Sequence, residues 1–132
     1  MNQHMVLTIH DESTGTSAAT SRLLTLATAK LTARELIRER VIHEVRQYND
    51  SPSDTFAGLV RLSDEELALN GEKPGKRLLD PQRQVARAYE SFRKKGFALL
   101  VDGAQVESLD QELDLSPDSE VVFLRLFPLA GG

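Results

Sequence analysis

The chain has 132 residues, a net charge of −4, 40% hydrophobic and 5% aromatic residues, and no cysteine. That length predicts one domain with a mostly aliphatic core, and the missing cysteine excludes disulfides, thiolate zinc sites and a thiol nucleophile. The mild acidity speaks against nucleic-acid binding, no apolar run approaches the ~18–20 residues of a membrane span, and the N-terminus lacks a signal-peptide core, so composition predicts a soluble, cytoplasmic protein.

Met5 to His10 is rich in β-formers and predicts a first strand. Asp11 to Thr20 is small and polar and has loop composition. Arg22 to Ala29 predicts a second strand, with Leu24 and Leu26 on one face, so the pair reads as an antiparallel hairpin. Thr32-Ala-Arg-Glu35 has the form of a capping box, in which hydroxyl and carboxylate satisfy each other's orphan amides. Leu36, Ile37, Val41, Val45 and Tyr48 then make one apolar helical stripe, with Arg34, Arg38, Glu39, Glu44 and Arg46 around it. Asn49-Asp-Ser-Pro52 stops that helix.

Phe56 to Leu62 is a candidate short strand, and Ser63-Asp-Glu-Glu66 is a second capping box, ended by Asn70-Gly71. Residues 72–77 have the composition of a solvated loop. Asp80 as N-cap, Pro81 at the first helical position and Gly96 as the C′ stop bound a second helix. Val85, Ala88, Tyr89 and Phe92 form its buried stripe, and Lys94 and Lys95 suit the negative end of its dipole. Phe97 to Val101 is a strand, Asp102-Gly103 a two-residue hairpin turn, and Ala104 to Glu107 a short return strand. Leu109 to Pro117 reads as a turn with a little 3₁₀ helix. Ser119 to Leu126 is the last strand, and Pro128, with no amide to donate, ends its pairing. Val121 and Phe123 lie on one face of it, and Val122, Leu124 and Leu126 on the other. Two apolar faces predict that both are covered, the second by residues 50–96, a partner or another copy. The order predicts a helix lying across a mixed sheet.

Enzyme chemistry has no constellation behind it. His4, His10 and His43 lack ligand spacing and read as ordinary histidines. Gly71-Glu-Lys-Pro-Gly75-Lys76 has three residues between its glycines, where a phosphate-binding loop has four, and Arg77 stands where that loop has Ser or Thr. No carboxylate pair stands out as acid and base, and no Gly-x-Ser-x-Gly elbow is present. The C-terminal sequence is more telling. A strand is followed by Pro128 and then Leu129-Ala-Gly-Gly132. Glycines without Cβ can thread a narrow cleft and offer a carboxylate to another enzyme. A flexible tail with incidental glycines is the plain alternative.

Residues 107–132, a short turn, the strand Val122-Phe-Leu-Arg-Leu126 and the diglycine tail, resemble the last third of a ubiquitin-like domain. The tail Leu129-Ala-Gly-Gly132 is similar to those of the sulfur carriers of molybdopterin and thiamine synthesis. The element order fits an α+β, β-grasp (ubiquitin-like) mixed sheet crossed by a helix, with an inserted segment at about 50–96 and a second helix before the third strand. The likeness covers roughly residues 5–49 and 97–132 and is greatest to bacterial ubiquitin-like proteins of ubiquitination-like operons, some of which act in antiviral defence.

The resemblance implies a single domain over 1–132 with a flexible tail, 127–132. It also implies a protein modifier, itself no enzyme. Gly132 would be adenylated by an activating enzyme, passed on as a thioester and joined to a target amine, and Gly131 would keep the tail slim. Arg125, Leu126, Pro128, Leu129 and Ala130 would be held by the partner. Expected partners are an activating enzyme, a conjugating enzyme, a deconjugating peptidase and a target protein, with self-association as a further option. ATP would be used by the activating enzyme, and no cofactor or metal is expected on this chain. Lys30, Lys73, Lys76, Lys94 and Lys95 are candidate acceptors for a second copy. The tail, with Phe127-Pro-Leu129 where ubiquitin has more arginine, implies a dedicated activating enzyme. The alternatives are a sulfur carrier ending in a thiocarboxylate, and a non-covalent binding or assembly module.

Overall fold

The computed structural model describes residues 4–15, 19–52, 58–60 and 78–126. In chain order these form β1 (Met5–Ser13), β2 (Ala19–Leu26), β3 (Lys30–Thr32), α1 (Ala33–Asp50), α2 (Pro81–Arg93), β4 (Phe97–Val101), β5 (Ala104–Gln105), β6 (Glu112–Asp114) and β7 (Val121–Arg125). One mixed five-stranded sheet has the order β2-β1-β7-β4-β5, and β3 pairs with β6 in a second, two-stranded sheet. The first and last strands run parallel at its centre, with Ile9 opposite Val121 and Ser13 opposite Arg125. The fold is α+β, as the order of elements predicts.

Alternation sets the inner face of the sheet. Leu7, Ile9, Val121 and Phe123 are fully buried there, beside Leu24, Leu26 and Leu99. The inner residues of α1, Leu36, Ile37, Val41, Val45 and Tyr48, pack into the same core, and so do Leu59, Leu79, Val85 and Ala88. On the outer face, Val122 and Leu124 sit opposite Leu100 and Ala98 of β4 and are half-buried.

Local chemistry starts and stops the helices as predicted, with one exchange. At α1 the Glu35 amide donates to Thr32 Oγ1 (3.2 Å), and the Thr32 amide donates to Glu35 Oε1 (3.4 Å). At α2 the Asp80 carboxylate accepts from the Gln82 amide at 3.0 Å, and Pro81 opens the helix. The end of α2 is a Schellman motif, with bonds from the Gly96 amide to Ser91 O (2.7 Å) and from the Lys95 amide to Phe92 O (3.1 Å). The left-handed C′ residue is therefore Lys95, at φ +62°, and not the expected Gly96. Gly96 stands one position later, where a Cβ would press on Ser91 Oγ and oblige that hydroxyl to rotate away.

Other departures come from pairing between distant segments. Residues 11–13 and 19–20 form strand where a loop was expected, because the hairpin continues through Asp11–Thr20 to Glu12–Ala19. β2 consequently ends at Leu26 rather than Ala29. The expected turn over Leu109 to Pro117 contains β6, whose Leu113 pairs with Leu31. The return strand after Asp102-Gly103 is only Ala104–Gln105, although the turn is as predicted, both turn residues having positive φ. The last strand is shorter than expected at both ends, Val121–Arg125. Residues 58–60, inside the expected strand Phe56 to Leu62, form bends. The second capping box, Asn70-Gly71, the loop at 72–77 and the tail lie outside the described residues.

The two helices are joined through side chains. Asn49 of α1 accepts from the Leu79 amide (2.9 Å) and donates to its carbonyl (3.1 Å), fixing the approach to α2. Tyr89 Oη donates to the Arg34 carbonyl (3.1 Å) while the Arg34 guanidinium lies 5.2 Å from the Tyr89 ring centre. Burial pushes the Tyr89 phenol above its ordinary value, against the opposing pull of Arg34 and Arg38. Its contribution to stability is thus full below pH about 10 and is lost as pH rises through the folded value. Tyr89→Phe should cost about 1 kcal/mol in urea unfolding at neutral pH and should flatten this alkaline loss.

Candidate functional site

Residues 127–132 follow β7 and Leu126 in the chain, so the residues around the end of β7 form the candidate site. Its foundation is a buried charge cluster. Arg40 sits on the apolar stripe of α1 and is 0% exposed. Its guanidinium donates to both Asp11 oxygens on β1, with Nη2 at 2.8 Å from Oδ2, and its Nε donates to Glu44 one turn on. It also stacks 4.5 Å from the Phe123 ring centre on β7. Arg22 on β2 adds a second cation, 3.7 Å from Asp11 and 3.6 Å from Glu44. Burial alone disfavours the charged Arg40. Glu44 and Asp11 outweigh it and raise its pKa further, so it remains a guanidinium.

Glu44 was expected among the polar residues around α1, but it is 5% exposed. Its second oxygen accepts from the Leu59 amide at 2.8 Å. The next contact along the chain is Arg125, at the end of β7, whose Nη2 donates to the Gly58 carbonyl at 2.6 Å. The single peptide group between Gly58 and Leu59 is thus bound at both ends by charged side chains, and Leu59 is buried in the core.

The backbone at the end of β7 is tied on both sides. The Thr14 amide donates to the Arg125 carbonyl at 2.9 Å, and the Leu126 amide donates to the Gly96 carbonyl at 3.0 Å. Of the candidate residues, Arg125 and Leu126 are therefore neighbours in a fixed base, both half-buried. Pro128, Leu129, Ala130, Gly131 and Gly132 lie outside the described residues. Among the described residues no helix is long and apolar enough to cross a membrane.

Inspection of single residues missed Asp11, Arg40, Glu44 and Gly58. Arg40 and Glu44 carried a readable signal: both fall at three- or four-residue spacing from the apolar stripe and from each other. Comparison of the chain with family models, with curated proteins and with solved structures gives no match.

Arg40→Met should destabilise the protein by about 3–5 kcal/mol, because it removes the buried cation that hydrogen-bonds Asp11 and Glu44 and leaves them only the longer contacts to Arg22. Urea unfolding measures this, and adding Asp11→Leu and Glu44→Leu to the same chain should recover much of the loss. Arg125→Ala should act more locally, costing about 1.5–3 kcal/mol and speeding hydrogen exchange of the Leu59 amide.

Proposed function

We propose that this chain is a β-grasp, ubiquitin-like protein modifier that reacts through the carboxylate of Gly132. The observation that carries the reading is the sequence Leu129-Ala-Gly-Gly132, separated by only three residues from β7, the strand that runs parallel to β1 at the centre of the sheet. A carboxylate is a poor electrophile until it is activated. Attack of the Gly132 carboxylate on the α-phosphorus of ATP, held by the activating enzyme, gives an acyl adenylate and releases pyrophosphate. An enzyme thiolate then displaces AMP, and a target amine displaces the thiolate to give an amide. The chain supplies no catalytic side chain in these steps. It supplies a rigid base at Arg125 and Leu126 and a slim segment beyond it, with Leu126, Pro128, Leu129 and Ala130 held in the partner's channel.

The test is incubation of the full chain, ending at Gly132, with ATP and candidate adenylating enzymes from the same source. Expected is ATP-dependent formation of a thioester and, with a conjugating enzyme, of stable conjugates that Gly132→Trp abolishes. Conjugates that persist in Gly132→Trp overturn the reading. A mass gain of about 16 Da on the free chain, oxygen replaced by sulfur, would instead identify a sulfur carrier. Unchanged behaviour after removal of Gly131 and Gly132 would identify a binding module.

A further inference from the structure

A groove of about 800 Å³ runs beside the base of the tail, between the end of α2 and the connection from β5 to β6. Phe97, Val106 and Leu109 line it as buried apolar residues, and half-buried Phe92 and Leu126 widen that apolar surface. Leu126 is the residue from which the tail departs. Arg93 and Lys95 line the groove as exposed cations. Arg34 contributes a third, already paired to Asp110 at 3.2 Å, and the exposed Glu107 also borders it.

Lys95 is the unusual member. It occupies the left-handed region at φ +62°, where a side chain is strained and glycine or asparagine is not. Its ammonium makes no hydrogen bond or ion pair among the described residues, whereas its neighbour Lys94 pairs with Glu90 at 2.7 Å. The Schellman motif that Lys95 strains also carries Gly96, whose carbonyl holds the Leu126 amide. A cation is thus kept, at a conformational cost, beside the exit of the tail. The chain as a whole carries a net charge of −4, so a cationic border there is a local reversal.

We propose that this groove docks an acidic, apolar-centred segment of the activating enzyme, with Phe92 and Leu126 receiving its apolar side chain and Arg93 and Lys95 its carboxylates. The occupant's charge follows from the two cations, and its apolar centre from the aromatic and aliphatic lining. The inference rests on the modifier reading for the identity of the partner, and it deepens that reading by placing recognition on the folded body.

The test is titration of the isotopically labelled full chain with the peptide Glu-Glu-Phe-Glu-Leu-Glu, followed by amide NMR shifts. Expected are shifts at Gly96, Val106 and Leu126 that vanish at about 0.5 M salt and are absent with the Gln-for-Glu peptide. Lys95→Gly and Lys95→Asn should each weaken binding about two- to fivefold, with Lys95→Arg close to the parent. Lys95→Gly should at the same time hold or raise the melting temperature, because glycine relieves the backbone. Shifts elsewhere, equal binding of the Gln peptide, or parental affinity in Lys95→Gly and Lys95→Asn overturn the groove. Shifts at these residues on dilution alone would assign it to a second copy. The same shifts on deleting residues 127–132 would assign it to the chain's own tail, and either result overturns the proposal. Adenylation of the parent chain reports separately on the modifier reading: charging without peptide binding removes only the groove, and binding without charging removes only the modifier.

Discussion

Arg40 sets the terms on which the other elements meet. A buried guanidinium is costly unless carboxylates lie close to it, and its two partners come from different elements, Asp11 of β1 and Glu44 of α1. Asp11 reaches it only because it shares the inner face of β1 with Leu7 and Ile9. A slip of β1 by one residue would turn Asp11 to the outer face and leave Arg40 with Glu44 as its only carboxylate of the two. That alternative loses core apolar contacts and a buried ion pair at once. The cluster therefore selects one register, and its net stabilisation is secondary to that choice. By fixing β1 it also fixes the parallel pairing of β1 with β7, across which Arg40 stacks on Phe123.

The central position of β7 has a mechanical consequence. A tail leaving an edge strand would be tethered on one side. Here the end of β7 is held by Thr14 from the β1–β2 turn and by Gly96 from the end of α2. Arg125 adds a third tie, to Gly58, from a residue 67 positions away in the chain. The same charged neighbourhood that orders β1 thus reaches the tail base, because Glu44 and Arg125 hold the two ends of one peptide group, the Leu59 amide and the Gly58 carbonyl.

What the sequence made legible was local chemistry. Thr32 with Glu35 and Asp80 with Pro81 cap their helices within a few residues, Asp102-Gly103 supplies the two positive φ values of its turn, and each is where the residue pattern puts it. What it hid depends on distant partners. β3 and β6 are three residues each and exist because they pair across the chain. Asp11 and Glu12 have loop composition and become strand through the ladder to β2. Glu44 looks like a solvated helix charge until Arg40 and the Leu59 amide are brought to it. The Lys95–Gly96 exchange was hidden by a packing fact, the closeness of Ser91 to the place a Cβ of Gly96 would occupy. For the site, the tail motif was plain in the sequence, whereas the fixed base that precedes it was not.

A glycine-ended tail gives access to a narrow channel but little identity, since glycine offers no side chain to read. On the proposed modifier reading, discrimination by a dedicated enzyme would come from groups held in fixed positions near the tail's origin, because contacts to ordered groups avoid the entropy of immobilising them. Arg125 is an obvious reader by sequence, yet its guanidinium is already committed to Gly58, and engaging an enzyme with it would release residues 58–59 from β7. Lys95 has no such commitment among the described residues and stands one residue before the carbonyl that holds Leu126. The proposed division of labour would have Arg125 fixing the base at the end of β7 and the cations at the end of α2 giving a partner something to read.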